Sequence, residues 1–154
     1  MSPKVKLILI VILVSSILQS CNIAETDSSP AGIAQEQNFE SKKIDGRWTV
    51  DKGTAMELRA MQSTIENFNL LITEQPQNLP AYQGYAIILQ NHIDRTVTYC
   101  SLDKNTRSVL CKDLDKLREQ ISAINKGDIG QAREASKNIN LIFKGLNDYF
   151  NFDF

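Results

Sequence analysis

Few residues in this chain could do chemistry. Its 154 residues include three cysteines, Cys21, Cys100 and Cys111, and one histidine, His92. Ten residues lie between Cys100 and Cys111, so they are not the Cys-x-x-Cys pair of a thiol redox centre. Two cysteines and one histidine are too few for a zinc site, and their spacing is wrong for one. His92 adjoins Ile93 near the edge of an apolar stripe. A lone histidine there is expected to make one hydrogen bond at the boundary of a core. Met61, a possible thioether ligand, falls on a stripe position and reads as a core methionine. There is no nucleophile elbow, no paired histidine and no metal cluster, so the chain reads as non-catalytic, with no metal and no catalytic residue.

Cys21 follows a different pattern. Lys4 and Lys6 form a small positive region, Leu7 to Val14 is an unbroken apolar run, and Ser15, Ser16 and Ser20 follow. This is the layout of a secretory signal, too short for a comfortable membrane span. It ends in Leu18-Gln19-Ser20-Cys21, which resembles the lipobox of bacterial lipoproteins, with Gln19 standing where a small residue is usual. The resemblance implies a diacylglyceryl thioether on Cys21, cleavage before it, and fatty acylation (palmitate or similar) of the new amino terminus. Two or more acyl chains make a stable membrane anchor where one holds only reversibly. Asn22, in place of the Asp that retains enteric lipoproteins on the inner membrane, favours the outer membrane. With Cys21 given to lipid, Cys100 and Cys111 remain as an even pair on the oxidising side of the membrane, and a structural disulfide is expected.

The full chain holds 17 basic and 18 acidic residues. Loss of Lys4 and Lys6 with the signal leaves a mature charge of −3. No basic run or aromatic-basic interleaving points to nucleic acid. The expected divisions are residues 1–20 as signal, 21–53 as lipidated tether and lead-in strap, and 54–154 as one folded domain. Asn22 to about Ile44 is rich in Ser, Gln, Glu, Asp and Ala and has no apolar period, so it reads as a flexible tether reaching roughly 30 Å. Asp45 to Gly53 is a punctuated strap whose Trp48 is expected to cover one end of the core.

The rest is helical in period. Thr54 and Glu57 fit a capping box, and Leu58, Met61, Ile65, Phe68 and Ile72 then recur at spacings of 3 and 4. Glu74-Gln75-Pro76 ends this helix. Pro80 suits the first turn of a second, with Tyr82, Ala86, Leu89, Ile93, Thr96 or Val97, and Cys100 on one face. Ser101 to Ser108 reads as a polar loop. Cys111 opens a third helix, striped by Leu110, Leu114, Leu117, Ile121 and Ile124. In Asn125-Lys126-Gly127-Asp128, Gly127 is expected to take the left-handed position and Asp128 to cap the fourth helix. That helix carries Ala132, Ala135, Ile139, Ile142 or Phe143, Leu146 and Phe150. The class is all-α, an up-down-up-down four-helix bundle. A Cys100–Cys111 bridge would staple the tip of the middle hairpin, a constraint of about 3 kcal/mol in the chain-entropy picture.

Gln120-Ile121 and Asn125-Lys126-Gly127-Asp128-Ile129-Gly130-Gln131-Ala132, with Leu58, Met61, Phe68 and Leu71 before them, resemble the cytochrome b562 family over about residues 54–150. The resemblance implies a four-helix bundle holding haem between a Met and a His. Met61 stands at the Met position. The His position falls on Asn147, which is not a plausible haem ligand, and no Cys-x-x-Cys-His is present. The resemblance therefore supports the fold and argues against the activity, leaving Met61 and His92 as weak haem candidates. The terminal aromatics Phe150 and Phe152 are expected to fold over the end of the bundle. The expected function is a membrane-anchored accessory or interaction module with an envelope protein partner. The alternatives are a haem-binding electron carrier and a bundle that binds a small ligand or lipid.

Overall fold

The computed structural model of the chain describes residues 39–75 and 77–152. The lipobox with Cys21, most of the tether, Pro76, Asp153 and Phe154 lie outside the described residues. The elements are β1 (Lys43–Ile44), β2 (Arg47–Thr49), α1 (Lys52–Glu74), α2 (Leu79–Tyr99), α3 (Lys104–Lys126), α4 (Ile129–Tyr149) and β3 (Phe150–Asn151). The four helices form the expected up-down-up-down bundle. α1 packs along α2, α2 along α3, and α3 most extensively along α4.

The apolar stripes build the core. Leu58, Met61, Leu89, Ile93, Leu110, Leu114, Leu117, Ile124, Ile139 and Leu146 are almost wholly removed from water. Burying a Leu, Ile or Met fully contributes about 1.5–3 kcal/mol, so these stripes dominate stability. On α4, Phe143 is buried and Ile142 only partly. Tyr85 is an inward residue beyond the expected stripe; its ring stacks on Phe68 at 4.2 Å, and Phe68 meets Tyr82 edge-on at 5.1 Å. Between α1 and α4 the contact is polar: Asn69 and Asn140 exchange side-chain hydrogen bonds of 2.6 and 3.0 Å.

Four local expectations are corrected. First, α1 is capped by Asp51, whose Oδ1 accepts from the Thr54 N–H at 3.0 Å, and Thr54 lies inside the helix and is buried. Asp51 is preferred because its second oxygen also accepts the Thr54 hydroxyl, at 2.7 Å, and the Ser101 N–H, at 3.2 Å. Glu57 is thereby released from a capping role. Second, Ser101 to Ser108 is mostly helix. Asp103 caps α3 by accepting from the N–H groups of Asn105 and Thr106, and Thr106 faces inward. Third, Gly127 has φ −91° and ψ 175°, extended rather than left-handed. The glycine serves close approach instead: a Cβ there would lie 2.7 Å from the Ala123 carbonyl oxygen and 2.7 Å from Gln131 Oε1. Asp128 does cap α4, in a capping box completed by Gln131.

The fourth correction concerns the strap. Asp45 and Gly46 take φ of +52° and +82°, the mirror-image turn that suits a two-residue hairpin. β1 and β2 pair antiparallel around it, and β2 runs parallel to β3, with Trp48 opposite Phe150. Upstream, Phe39 bridges to Leu102. This small sheet closes one end of the bundle. Phe150 and Phe152 are buried there, as expected, and half-buried Trp48 packs on the core with Lys43 Nζ 4.8 Å over its ring.

Candidate functional site

His92 lies on α2 and turns towards α1, where its Nδ1 meets Glu57 Oε2 at 2.7 Å. The side chains are 13% and 15% exposed, and Arg95 Nη1 lies 3.9 Å from the other Glu57 oxygen. This is the single boundary hydrogen bond expected of His92. A carboxylate-held imidazole can orient a general base or a metal ligand, but it needs a nucleophile or further ligands. No serine, threonine or cysteine hydrogen-bonds the ring, and among the described residues no three His, Cys, Asp or Glu gather where they could hold a metal ion. Glu57 lies far from His92 in sequence, and no local pattern announces the pair.

Met61 is fully buried within the core. The antiparallel register of α1 and α4, marked by Asn69 with Asn140 and by the Arg59 Nε hydrogen bond to the Phe152 carbonyl, brings Met61 and Asn147 to within about a turn of the same level. His92, on α2, is committed to Glu57. The two haem candidates are thus held by packing and by a carboxylate.

Cys100 and Cys111 are both buried. Because α3 begins at Lys104, Cys111 sits about two turns into the helix instead of at the hairpin tip. Cys100 caps α2 beside Thr54 and the Leu102 backbone, which lie within hydrogen-bonding reach of its sulfur. Burial pushes the Cys100 thiol above its usual range, outweighing the help of those two groups and of Arg107. The correction is one of position: Cys111 packs within α3 and not at the hairpin tip, and its pairing with Cys100 stays an expectation from their even number.

A second buried polar pair lies deeper. Tyr85 on α2 and Ser136 on α4 are almost wholly buried. Burial drives the Tyr85 phenol well above its usual range, with Ser136 only partly opposing this. Neither hydroxyl completes a well-formed hydrogen bond, a cost of about 1–3 kcal/mol for each stranded group.

The surface shows a broader division. Residues 60–94, most of the α1–α2 hairpin, contain no Lys or Arg, and their acidic residues are Glu66, Glu74 and Asp94. Among the described residues, six of the ten large exposed apolar side chains belong to this hairpin: Met56, Leu70, Leu71, Ile87, Ile88 and Tyr99. The α3–α4 hairpin carries Lys116–Asp113, Arg118–Asp115 and Lys137–Glu134 ion pairs within its own helices. No known protein family, curated protein or solved structure matches the chain.

Proposed function

We propose that this protein is a lipid-anchored component of a bacterial cell envelope, a non-catalytic module that meets a protein partner through the outer face of its α1–α2 hairpin. The observation that carries this reading is the charge-poor face itself. Residues 60–94 contain no Lys or Arg and expose Leu70, Leu71, Ile87 and Ile88 among amides and hydroxyls. Depletion of charge with retained apolar area characterises the centre of protein interfaces. The anchor reading is supported by Leu18-Gln19-Ser20-Cys21 behind Lys4, Lys6 and the Leu7–Val14 run, and Asn22 favours the outer membrane.

The test is a photo-crosslinking amino acid placed at Ile87 or Leu70, with Lys112 on α3 as control, in cells making the full chain. A discrete adduct from Ile87 and Leu70 but not from Lys112 is expected. No adduct from either hairpin position, or equal adducts from all three, refutes the face. Labelling with a fatty-acid analogue tests the anchor separately, and Cys21→Ser should abolish it.

A further inference from the structure

The end of the bundle that faces the bilayer follows from where the chain enters it. The Phe39 N–H donates to the Ser101 carbonyl at 2.9 Å, and Phe39 bridges to Leu102, so the incoming chain is pinned at the sheet-bearing end. Residues 22–38 separate that pin from Cys21, and if they act as the tether expected from their composition, 17 residues have an r.m.s. reach of roughly 25 Å. The bundle is longer: a helix of 23 residues spans about 35 Å. An r.m.s. reach below the bundle's length keeps the sheet-bearing end, where the chain enters, nearest the membrane on average.

That end is also the basic one. The segments 39–59, 95–112 and 144–152, which form it, hold ten Lys and Arg against six Asp and Glu; the remaining segments, 60–94 and 113–143, hold five against eight. Lys42, Lys43, Lys52, Lys104 and Arg107 are exposed and Arg47 is half-buried. None of these six is in an ion pair among the described residues. Of the six acidic residues there, Asp51 and Asp103 are occupied by N–H donors at helix caps and Glu57 by His92, which leaves Glu40, Asp45 and Asp148 facing water. Ile44, 51% exposed, stands between Lys43 and the Asp45-Gly46 turn. Cations around an exposed aliphatic side chain suit a phosphate-bearing lipid surface, where the ammonium and guanidinium groups meet headgroups and the aliphatic side chain enters the layer beneath.

We propose that the sheet-bearing end docks on an anionic bilayer surface, with Lys42, Lys43, Arg47, Lys52, Lys104 and Arg107 on lipid phosphate and Ile44 in the headgroup layer. The proposal rests on Cys21 being the lipid anchor. Docking would orient the bundle upright and present the charge-poor part of the α1–α2 hairpin away from the membrane.

Trp48, the single tryptophan of the chain, lies in this sheet and reports on it. The experiment is to reconstitute the mature lipidated chain in vesicles with brominated acyl chains and follow Trp48 quenching. One set is phosphatidylcholine alone; the other carries about a third phosphatidylglycerol. Each basic residue near an anionic surface favours docking about fivefold, so Lys42→Gln, Lys43→Gln and Arg47→Gln together should weaken it about a hundredfold. The expected result is stronger quenching in anionic vesicles, lost in the triple variant and lost in wild type at high salt, with helical circular dichroism unchanged. Equal quenching in both vesicle sets at low salt overturns the proposal, and would be the outcome if Glu25, Asp27 and Glu36 of the tether covered the basic end. Flotation separates the two readings. A mature chain that fails to float with phosphatidylcholine vesicles overturns the anchor, and docking with it. One that floats but shows no charge-dependent quenching overturns docking alone.

Discussion

Replacing Asp51 with Ala tests the junction on which the sheet-bearing end is built. Asp51 is buried and receives three hydrogen bonds, from the Thr54 N–H, the Thr54 hydroxyl and the Ser101 N–H. Loss of the helix cap costs about 1–2 kcal/mol. Stranding the other two donors adds about 1–3 kcal/mol in total, reduced by whatever water reaches them. A total of about 2–5 kcal/mol follows. With a urea dependence of about 1.5 kcal/mol per molar for a domain of this size, the unfolding midpoint should fall by about 1.3–3.3 M. The assay is urea unfolding of the mature Cys21→Ser chain, followed by circular dichroism at 222 nm. Asp51→Asn keeps one carbonyl acceptor and should fall between wild type and Asp51→Ala. Thr54→Val, which removes one hydroxyl bond while preserving volume, should cost only about 1 kcal/mol. If Thr54 were the true cap, Asp51→Ala would behave as a surface change of within about 0.5 kcal/mol. That result would refute the reasoning.

Gly127→Ala should cost about 1–3 kcal/mol in the same assay, because its Cβ meets the Ala123 carbonyl oxygen and Gln131; Gly127→Asn should give no rescue, whereas a left-handed glycine would be partly replaced by Asn. Phe150→Ala removes a fully buried ring and should cost about 3–5 kcal/mol, and limited trypsin digestion should then cut at Lys42, Lys43 or Arg47 earlier than in wild type. The Asp103 carboxyl is held below its usual value, chiefly by the Thr106 N–H. A carboxyl depressed on folding stabilises fully above its unfolded pKa, near 3.8, and that contribution is lost as pH falls through the lower folded value. Asp103→Ala should therefore cost about 1 kcal/mol at neutral pH and progressively less below about pH 4, read from unfolding midpoints across pH. Because burial raises the Cys100 thiol and shields it, its alkylation at pH 8 should be slower in the folded reduced chain than in denaturant, read by mass spectrometry.

The four helices were legible because their stripes repeat over about four to five turns. Leu58, Met61, Ile65 and Phe68 on α1, and Leu110, Leu114, Leu117, Ile121 and Ile124 on α3, are all buried. The start of α3 was not, since Lys104 to Val109 is nearly all polar and only Thr106 turns inward. That shift carried Cys111 away from the hairpin tip. The sheet escaped because strands of two or three residues are too short for an alternation to show. Asp45-Gly46 was its one local signal. The cap of α1 was misplaced because Thr54-Ala55-Met56-Glu57 satisfies the same pattern, and only the non-local bond to Ser101 distinguishes Asp51. At the candidate site, the His92–Glu57 pair depends on helix packing alone, whereas the absence of Lys and Arg from residues 60–94 is written in the sequence.

The pin at Phe39 has a mechanical consequence. Any pull between the membrane anchor and a bound partner enters the fold through one backbone hydrogen bond and two short strands, before any helix bears load. The strap therefore acts as a weak link in series with the bundle. Peeling residues 39–49 would lengthen the leash by about 35 Å at roughly 3.3 Å per residue while the helices stay folded. Single-molecule pulling through Cys21 should show that step first, at low force, and a single rupture of the whole domain would exclude it. A tug from the membrane would then be spent on slack, leaving the partner-binding face intact.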